Sequence, residues 1–480
     1  MSGKTKAFLL FALLFLLFAG FLFLTTERDS ARQAAPEQQG SEALPSDIRT
    51  EEQPLPDEEE AAVELCGRSL DVHTVRLVLS GDEISLPELR DKLGLLPELR
   101  ELELQDLNCT PGELRELRES YPELEICYTV SVLGESVPET AETLDLSAMG
   151  PELLEATLPA LRLLPALRTV ELTDGADGNL LSPAEVAALQ RELPEVLFRY
   201  RFLLFGKLVS TEDERIEYLR ADIGNEGLPA LREAIPCLQS CRTLLLDDCG
   251  IDNEQLAALR AEFPETKIVW RVHIGYLNFL TDVKVIHLTF LLTNQNAQVM
   301  RYCNEVEYLD IGHNTISDIS FMADMPHLRY VILSFNKVSD LSPLANCGEL
   351  EMLELYQCLN LEDISPLANC ENLRLLNVSW TQVKDITPVY GLKNLERFYC
   401  IWNYKIPEEQ RERCFEELPD CWITFEQEVS KNVGWSFDAA GGVRAQWYLD
   451  MYRILRYRAE DWFFGDYPDG WNREERRFDD

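Results

Sequence analysis

Leu328-Arg329-Tyr330-Val331-Ile332-Leu333-Ser334-Phe335-Asn336-Lys337-Val338-Ser339-Asp340-Leu341-Ser342-Pro343-Leu344 is one turn of a repeating phrase, and its reading decides the architecture of the chain. The phrase opens at Val306, Leu328, Leu350, Leu373 and Leu395, at steps of 22, 22, 23 and 22 residues. Three residues after each opener stands an apolar residue (Leu309, Val331, Leu353, Leu376, Phe398), and two further on stands another (Ile311, Leu333, Leu355, Val378, Cys400). Alternation of this kind puts the apolar set on one face of a short strand. Next comes a small or polar residue (Asn314, Asn336, Cys358, Thr381, Asn403), placed to hydrogen-bond the backbone where the chain turns. One such unit cannot bury its own apolar face. Stacked copies share a continuous core, which predicts a solenoid.

The phrase resembles the leucine-rich repeat family, and the closers Asp340-Leu341-Ser342-Pro343-Leu344 and Asp363-Ile364-Ser365-Pro366-Leu367 resemble its internalin branch. The resemblance implies an α/β fold, a leucine-rich repeat solenoid with a curved parallel sheet, and a role in binding.

Upstream, a longer repeat is marked by Tyr121-Pro122-Glu123, Leu193-Pro194-Glu195 and Phe263-Pro264-Glu265, whose prolines are 72 and 70 residues apart. Each leads into an aromatic-bearing strand (Tyr128; Phe198 and Tyr200; Trp270) and then a glycine turn at Gly134, Gly206 or Gly275. Apolar spacing of three and four residues predicts helices over Pro111 to Ser120, Pro183 to Glu192 and Asn253 to Glu262. The Pro-Glu/Asp phrase with its glycine turn resembles large surface-exposed leucine-rich repeat proteins of bacteria. A further copy, Leu418-Pro419-Asp420, closes the array.

At the N-terminus, Lys4 and Lys6 precede an uncharged apolar run of 18 residues, Ala7 to Leu24. That just reaches spanning length, and the flanking charge places the N-terminus inside. The run therefore predicts a transmembrane signal-anchor; a cleaved signal peptide leading to secretion is the alternative. The expected organisation is a cytoplasmic stub and membrane segment over 1–24, an acidic linker over 25–60, long helical repeats over 61–300, short repeats with a closing strand over 301–425, and a cap or tail over 426–480. In the tail, Ala445 to Tyr457 reads as an amphipathic helix presenting Trp447, Tyr448, Met451, Ile454 and Leu455, with terminal capping its expected role.

The net charge of −40 argues against a nucleic-acid partner, which needs a basic footprint. The 13 cysteines include no C-x-x-C pair, so zinc-knuckle spacing is absent. Most of them read as buried thiols; Cys347 with Cys370, and Cys414 with Cys421, are the conceivable bridges. No catalytic motif is present, so neither an enzyme nor a cofactor nor a metal site is expected. The ladder Asp318, Asp340, Asp363 and Asp385 is expected to accept backbone N–H groups at turns rather than to hold calcium.

Residues between the apolar rungs point to the concave face. They supply the candidate ligand-binding set: Tyr308, Asp310, His313, Tyr330, Phe335, Glu354, Tyr356, Asn377, Trp380, Arg397, Tyr399 and Trp402. Rings not needed for the core are the cue, because exposed aromatics mark interfaces. The expected partner is a protein or peptide, with a glycan or an envelope-spacer role as alternatives.

Overall fold

The computed structural model describes residues 62–174, 181–426, 435–437 and 444–455. The apolar run over 7–24 and the linker lie outside the described residues. Among those described, no helix is long and apolar enough to cross a membrane.

The N-terminal half is built from three modules, each a four-stranded sheet. In the first, Arg76–Ser80 pairs in parallel with Glu101–Gln105, which pairs with the start of Glu125–Val132. The far end of that third strand folds back on Glu135–Pro138 as an antiparallel hairpin. The next two modules repeat the plan, with hairpins Leu197–Leu204/Lys207–Ser210 and Lys267–Ile274/Leu277–Leu280. Leu133 and Gly134 (φ 50° and 88°), like Phe205 and Gly206 (49° and 76°), both take positive φ. That is the two-residue turn whose twist matches antiparallel strands. One continuous parallel sheet was expected, and this half departs from it. The third strand runs past its parallel neighbour and supplies its own antiparallel partner, and the next module begins a new sheet.

Helices occupy Pro111–Ser120, Pro183–Glu192 and Asn253–Glu262, with the bounds expected from sequence. Thr110 and Glu113 form a reciprocal capping box, as do Ser182 and Glu185, and proline at the first helical turn sacrifices no hydrogen bond. Leu114, Leu117, Val186, Leu189, Leu256 and Leu259 face inward and are buried.

From Val285 the architecture changes to a single seven-stranded parallel sheet: Val285–His287, Tyr308–Asp310, Tyr330–Ile332, Met352–Glu354, Leu375–Asn377, Arg397–Tyr399 and Trp422–Thr424. Leu309, Val331, Leu353, Leu376 and Phe398 stand in register and are fully buried. The turns are held by side chains. The Nδ2 of Asn336 donates to the carbonyls of Ile311 and Leu333, at 2.8 and 3.0 Å, whereas Asn403 donates its Nδ2 to Val378 O and accepts the Thr381 N–H on its Oδ1, each at 2.8 Å. Return segments are short 3-10 turns, and each aspartate of the Asp318/340/363/385 ladder accepts the N–H two residues on, at 2.9, 2.8, 2.7 and 2.9 Å. Those bonds hold the Asp318 and Asp385 carboxyls below their ordinary range. The helix Glu408–Glu417, with Cys414 buried beneath it, and the strand Trp422–Thr424 close the stack.

All 13 cysteines are free thiols, so neither conceivable bridge is formed. Burial pushes Cys347, Cys414 and Cys421 up to about 12, and Cys370 to about 11. They pack as small hydrophobes.

Candidate binding face

Strand register arranges the outward residues of the short repeats in rows. The first row runs Val285, Tyr308, Tyr330, Met352, Leu375, Arg397, and the second His287, Asp310, Ile332, Glu354, Asn377, Tyr399. Beyond the strands, each repeat places one residue in the left-handed region: Phe290, His313, Phe335, Gln357, Trp380 and Trp402, with φ between 55° and 62°. The backbone there is locked by the continuing ladder, as His313 N donates to Ser334 O, Phe335 N to Tyr356 O and Trp380 N to Ile401 O, each 2.8 Å.

These side chains form a column along the edge of the sheet. Phe290 and His313 lie 5.3 Å apart, His313 and Phe335 stack at 4.1 Å and 17°, and Trp380 lies 4.9 Å from Trp402. Tyr356 links Phe335 to Trp380, at 5.3 and 6.1 Å. Burial between its neighbours lowers the His313 imidazole below its ordinary range. Phe290 is 77% exposed, Trp380 42% and Phe335 40%, and Leu359 and Tyr404 extend the apolar edge.

The first two rows have a different fate. Residues 435–437 and the helix Gln446–Ile454 lie across them. Trp435, Met451 and Leu455 form a second apolar cluster with Ile332, Met352, Leu375, Tyr399 and Ile401, joined at its margin by Trp447, Tyr448 and Tyr452. The Trp435 indole packs 5.5 Å from Tyr399 and donates to Glu354 Oε2 at 2.8 Å; the Ser334 hydroxyl donates to Oε1 at 2.8 Å. The described tail residues therefore sit on the inner face of the short repeats.

Twelve residues were expected to face solvent here, and the structure divides them. His313, Phe335 and Trp380 are exposed. Tyr308, Tyr330, Glu354, Tyr356, Arg397 and Trp402 are half-buried. Asp310, Asn377 and Tyr399 are buried, which corrects the expectation of exposure for them. The reasons are specific. Tyr399 lies under the tail. Asp310 and Asn377 turn their carboxyl and amide oxygens onto their own turns, accepting the Gly312 and Ser379 N–H groups at 2.8 and 3.0 Å. Burial pushes the Asp310 carboxyl up to about 7 and raises that of Glu354.

Phe290, Leu359 and Tyr404 belong to the open edge and were absent from the expected set. Phe290 had a signal: it stands 23 residues before His313, in phase with a strand that precedes the first recognised opener. Among the described residues no group of three His, Cys, Asp or Glu side chains is placed to hold a metal ion.

A leucine-rich repeat model describing two copies matches residues 304–346, so this segment is leucine-rich repeat, as the opening phrase implied. No curated protein matches the chain. Among solved structures it is similar to an internalin of Listeria monocytogenes, at 16% identity over 75% of this chain and 84% of that one, with a TM-score of 0.24. It is also similar to internalin C2 of the same species, at 22% identity over 31% and 73%, TM-score 0.22. A leucine-rich repeat protein of Leptospira interrogans matches at 16% identity over 73% and 100%, TM-score 0.27.

Proposed function

We propose that the chain is a non-catalytic binding protein, anchored at a bacterial cell surface through residues 7–24, that takes a protein or peptide partner on the aromatic edge of its short repeats. The observation that carries this is the column from Phe290 to Trp402. In the long modules the same backbone position, also left-handed, is filled by Asp106, Arg220 and Asp248. The turn therefore does not require rings. A residue with a Cβ there costs roughly 1–2 kcal/mol, which stacking offsets by about 0.5–1.5 kcal/mol per ring pair. Strain kept at an exposed apolar strip points to use as an interface.

The test is retention of labelled extracellular proteins by the immobilised chain, compared with its Phe335→Ala/Trp380→Ala variant. At least tenfold loss, with an unchanged melt, is the expected result. Equal retention by the folded variant would remove the edge as the site, and selective binding on a glycan array would replace the protein partner with a saccharide.

A further inference from the structure

The tail lies on the inner face as a ligand would. Its contact spans four adjacent strands, through Ile332, Met352, Leu375 and Tyr399. It is made by side chains: among the described residues no backbone hydrogen bond joins the tail to the solenoid, and those of Ala445, Tyr448, Leu449 and Leu455 stay within the tail. The tail's short β-bridge, Phe437 to Arg444, is also internal. A segment woven into the repeat stack would continue its ladder, and this one does not.

The seat is also imperfect. The Trp447 indole N–H is buried without a hydrogen-bond partner, a group that docking takes from water and leaves unsatisfied. Glu354 is taken from water there as well, although the Trp435 indole and the Ser334 hydroxyl both donate to it. Against this stands the apolar burial of Trp435, Met451 and Leu455. A contact made by side chains alone, with apolar area set against a stranded indole N–H, is one that can open.

We propose that the inner face of the short repeats is a groove for an amphipathic helix bearing aromatic and thioether side chains, that residues 435–437 and 444–455 are its resident occupant in cis, and that a partner helix of the same chemistry binds by displacing them. The groove's floor fits that chemistry: Met352 and Leu375 are adaptable apolar surfaces, Tyr399 offers a ring to Trp435, and Glu354 offers an acceptor to its indole N–H. This inference concerns the first two rows; Trp402 of the outer edge packs against the same cluster, whereas Phe335 and Trp380, the edge residues changed above, do not belong to it.

The experiment uses the full chain and, as probe, a fluorescent synthetic peptide of its residues 431–457. Met451→Asp, a change confined to the tail, should expose the groove. The expected results are faster amide exchange over Gln446–Ile454 in the variant, and peptide uptake at least tenfold tighter than by the wild type. A peptide carrying the same substitution should not bind. Trp435→Ala provides a second released form should the aspartate variant misfold. Unchanged tail protection in both variants, a released variant that ignores the peptide, or equal uptake by wild type and variant would each overturn the proposal. Phe335→Ala/Trp380→Ala should leave peptide uptake unchanged, which separates this outcome from that of the outer edge.

Discussion

The two halves of the solenoid use the same strand phrase and finish it differently. In the long modules the outward face carries ion pairs, such as Arg76 with Glu103 at 2.6 Å, Arg199 with Glu171 at 2.8 Å and Arg271 with Asp247 at 2.6 Å. Solvated pairs such as the first two add little stability and leave the face hydrated, whereas Arg271 holds both oxygens of the more buried Asp247. In the short repeats the first two rows set Ile332, Met352, Leu375 and Tyr399 among Asp310, Glu354 and Asn377, and aromatics ring the edge. The difference teaches that curvature and strand phase belong to the repeat, whereas the chemistry of the face is set independently. Sheet continuity differs as well: hairpins end each long module, and nothing interrupts the seven short strands.

That contrast in continuity predicts the largest effect. Leu353→Asp places a charge in the fully buried centre of the seven-stranded sheet. It should cost at least about 4 kcal/mol and raise amide exchange across the whole short array. Leu104→Asp, equally buried in the first module, should spread no further than the hairpin at Glu135–Pro138. Exchange mass spectrometry on both variants decides it, and equal spread would break the distinction.

The covered rows predict a pH effect that the long half lacks. Asp310 ordinarily titrates near 3.8 and is pushed up to about 7 by burial, facing the Gly312 N–H, the His287 imidazole at 3.5 Å, and Glu354 and Tyr452 nearby. The folded state thus holds a proton that the unfolded state has released. Stability is greatest below the unfolded value and declines as pH rises through that window toward 7, by at most about 1.4 kcal/mol per unit. Melts between pH 4.5 and 7.5 should show this slope in the wild type and a flatter one in Asp310→Asn.

Glu354→Ala sharpens the contrast between covered and open rows. From sequence alone a neutral effect is expected, because Glu354 reads as a solvated residue beside Leu353. With Trp435 and Ser334 both donating to it, its loss should instead weaken tail docking by about 1–3 kcal/mol. Tryptophan fluorescence during urea titration would report an earlier tail transition. The smallest effect is expected for Trp380→Asn. Asparagine tolerates the left-handed backbone, so relief of strain offsets the lost contact with Trp402 to within about 1 kcal/mol. Retention of the partner should fall while the melting temperature holds.

The parts of this fold that were legible in the sequence are those that repeat burial at a fixed period. The rungs from Leu309 to Phe398 and the helices with their Thr110 and Ser182 caps follow from spacing, because each copy must bury the same positions. The glycine turns were visible, but not that their strands would end a sheet; nothing local states which neighbour an edge will choose. At the site, the aromatic column was readable as a pattern, while its left-handed backbone was not, since Phe and Trp carry no preference for it. The covered rows escaped for a different reason. An apolar face on the 446–454 helix announces that it will be buried, and it is silent about whether the stack's end or its inner surface does the burying.

The paired positive-φ turns at Leu133-Gly134 and Phe205-Gly206 have a consequence for how such a rod changes length. Each long module ends its own backbone ladder, so a block of about seventy residues is a cassette with its own sheet, joined to its neighbours by side chains such as the Tyr128 hydroxyl on Leu163 O and the Tyr218 hydroxyl on Leu204 O; the proline spacings of 72 and 70 reflect it. Duplicating or excising a cassette would alter the distance from residue 62 to the short array in whole steps, and would leave every ring of the outer edge in its present register.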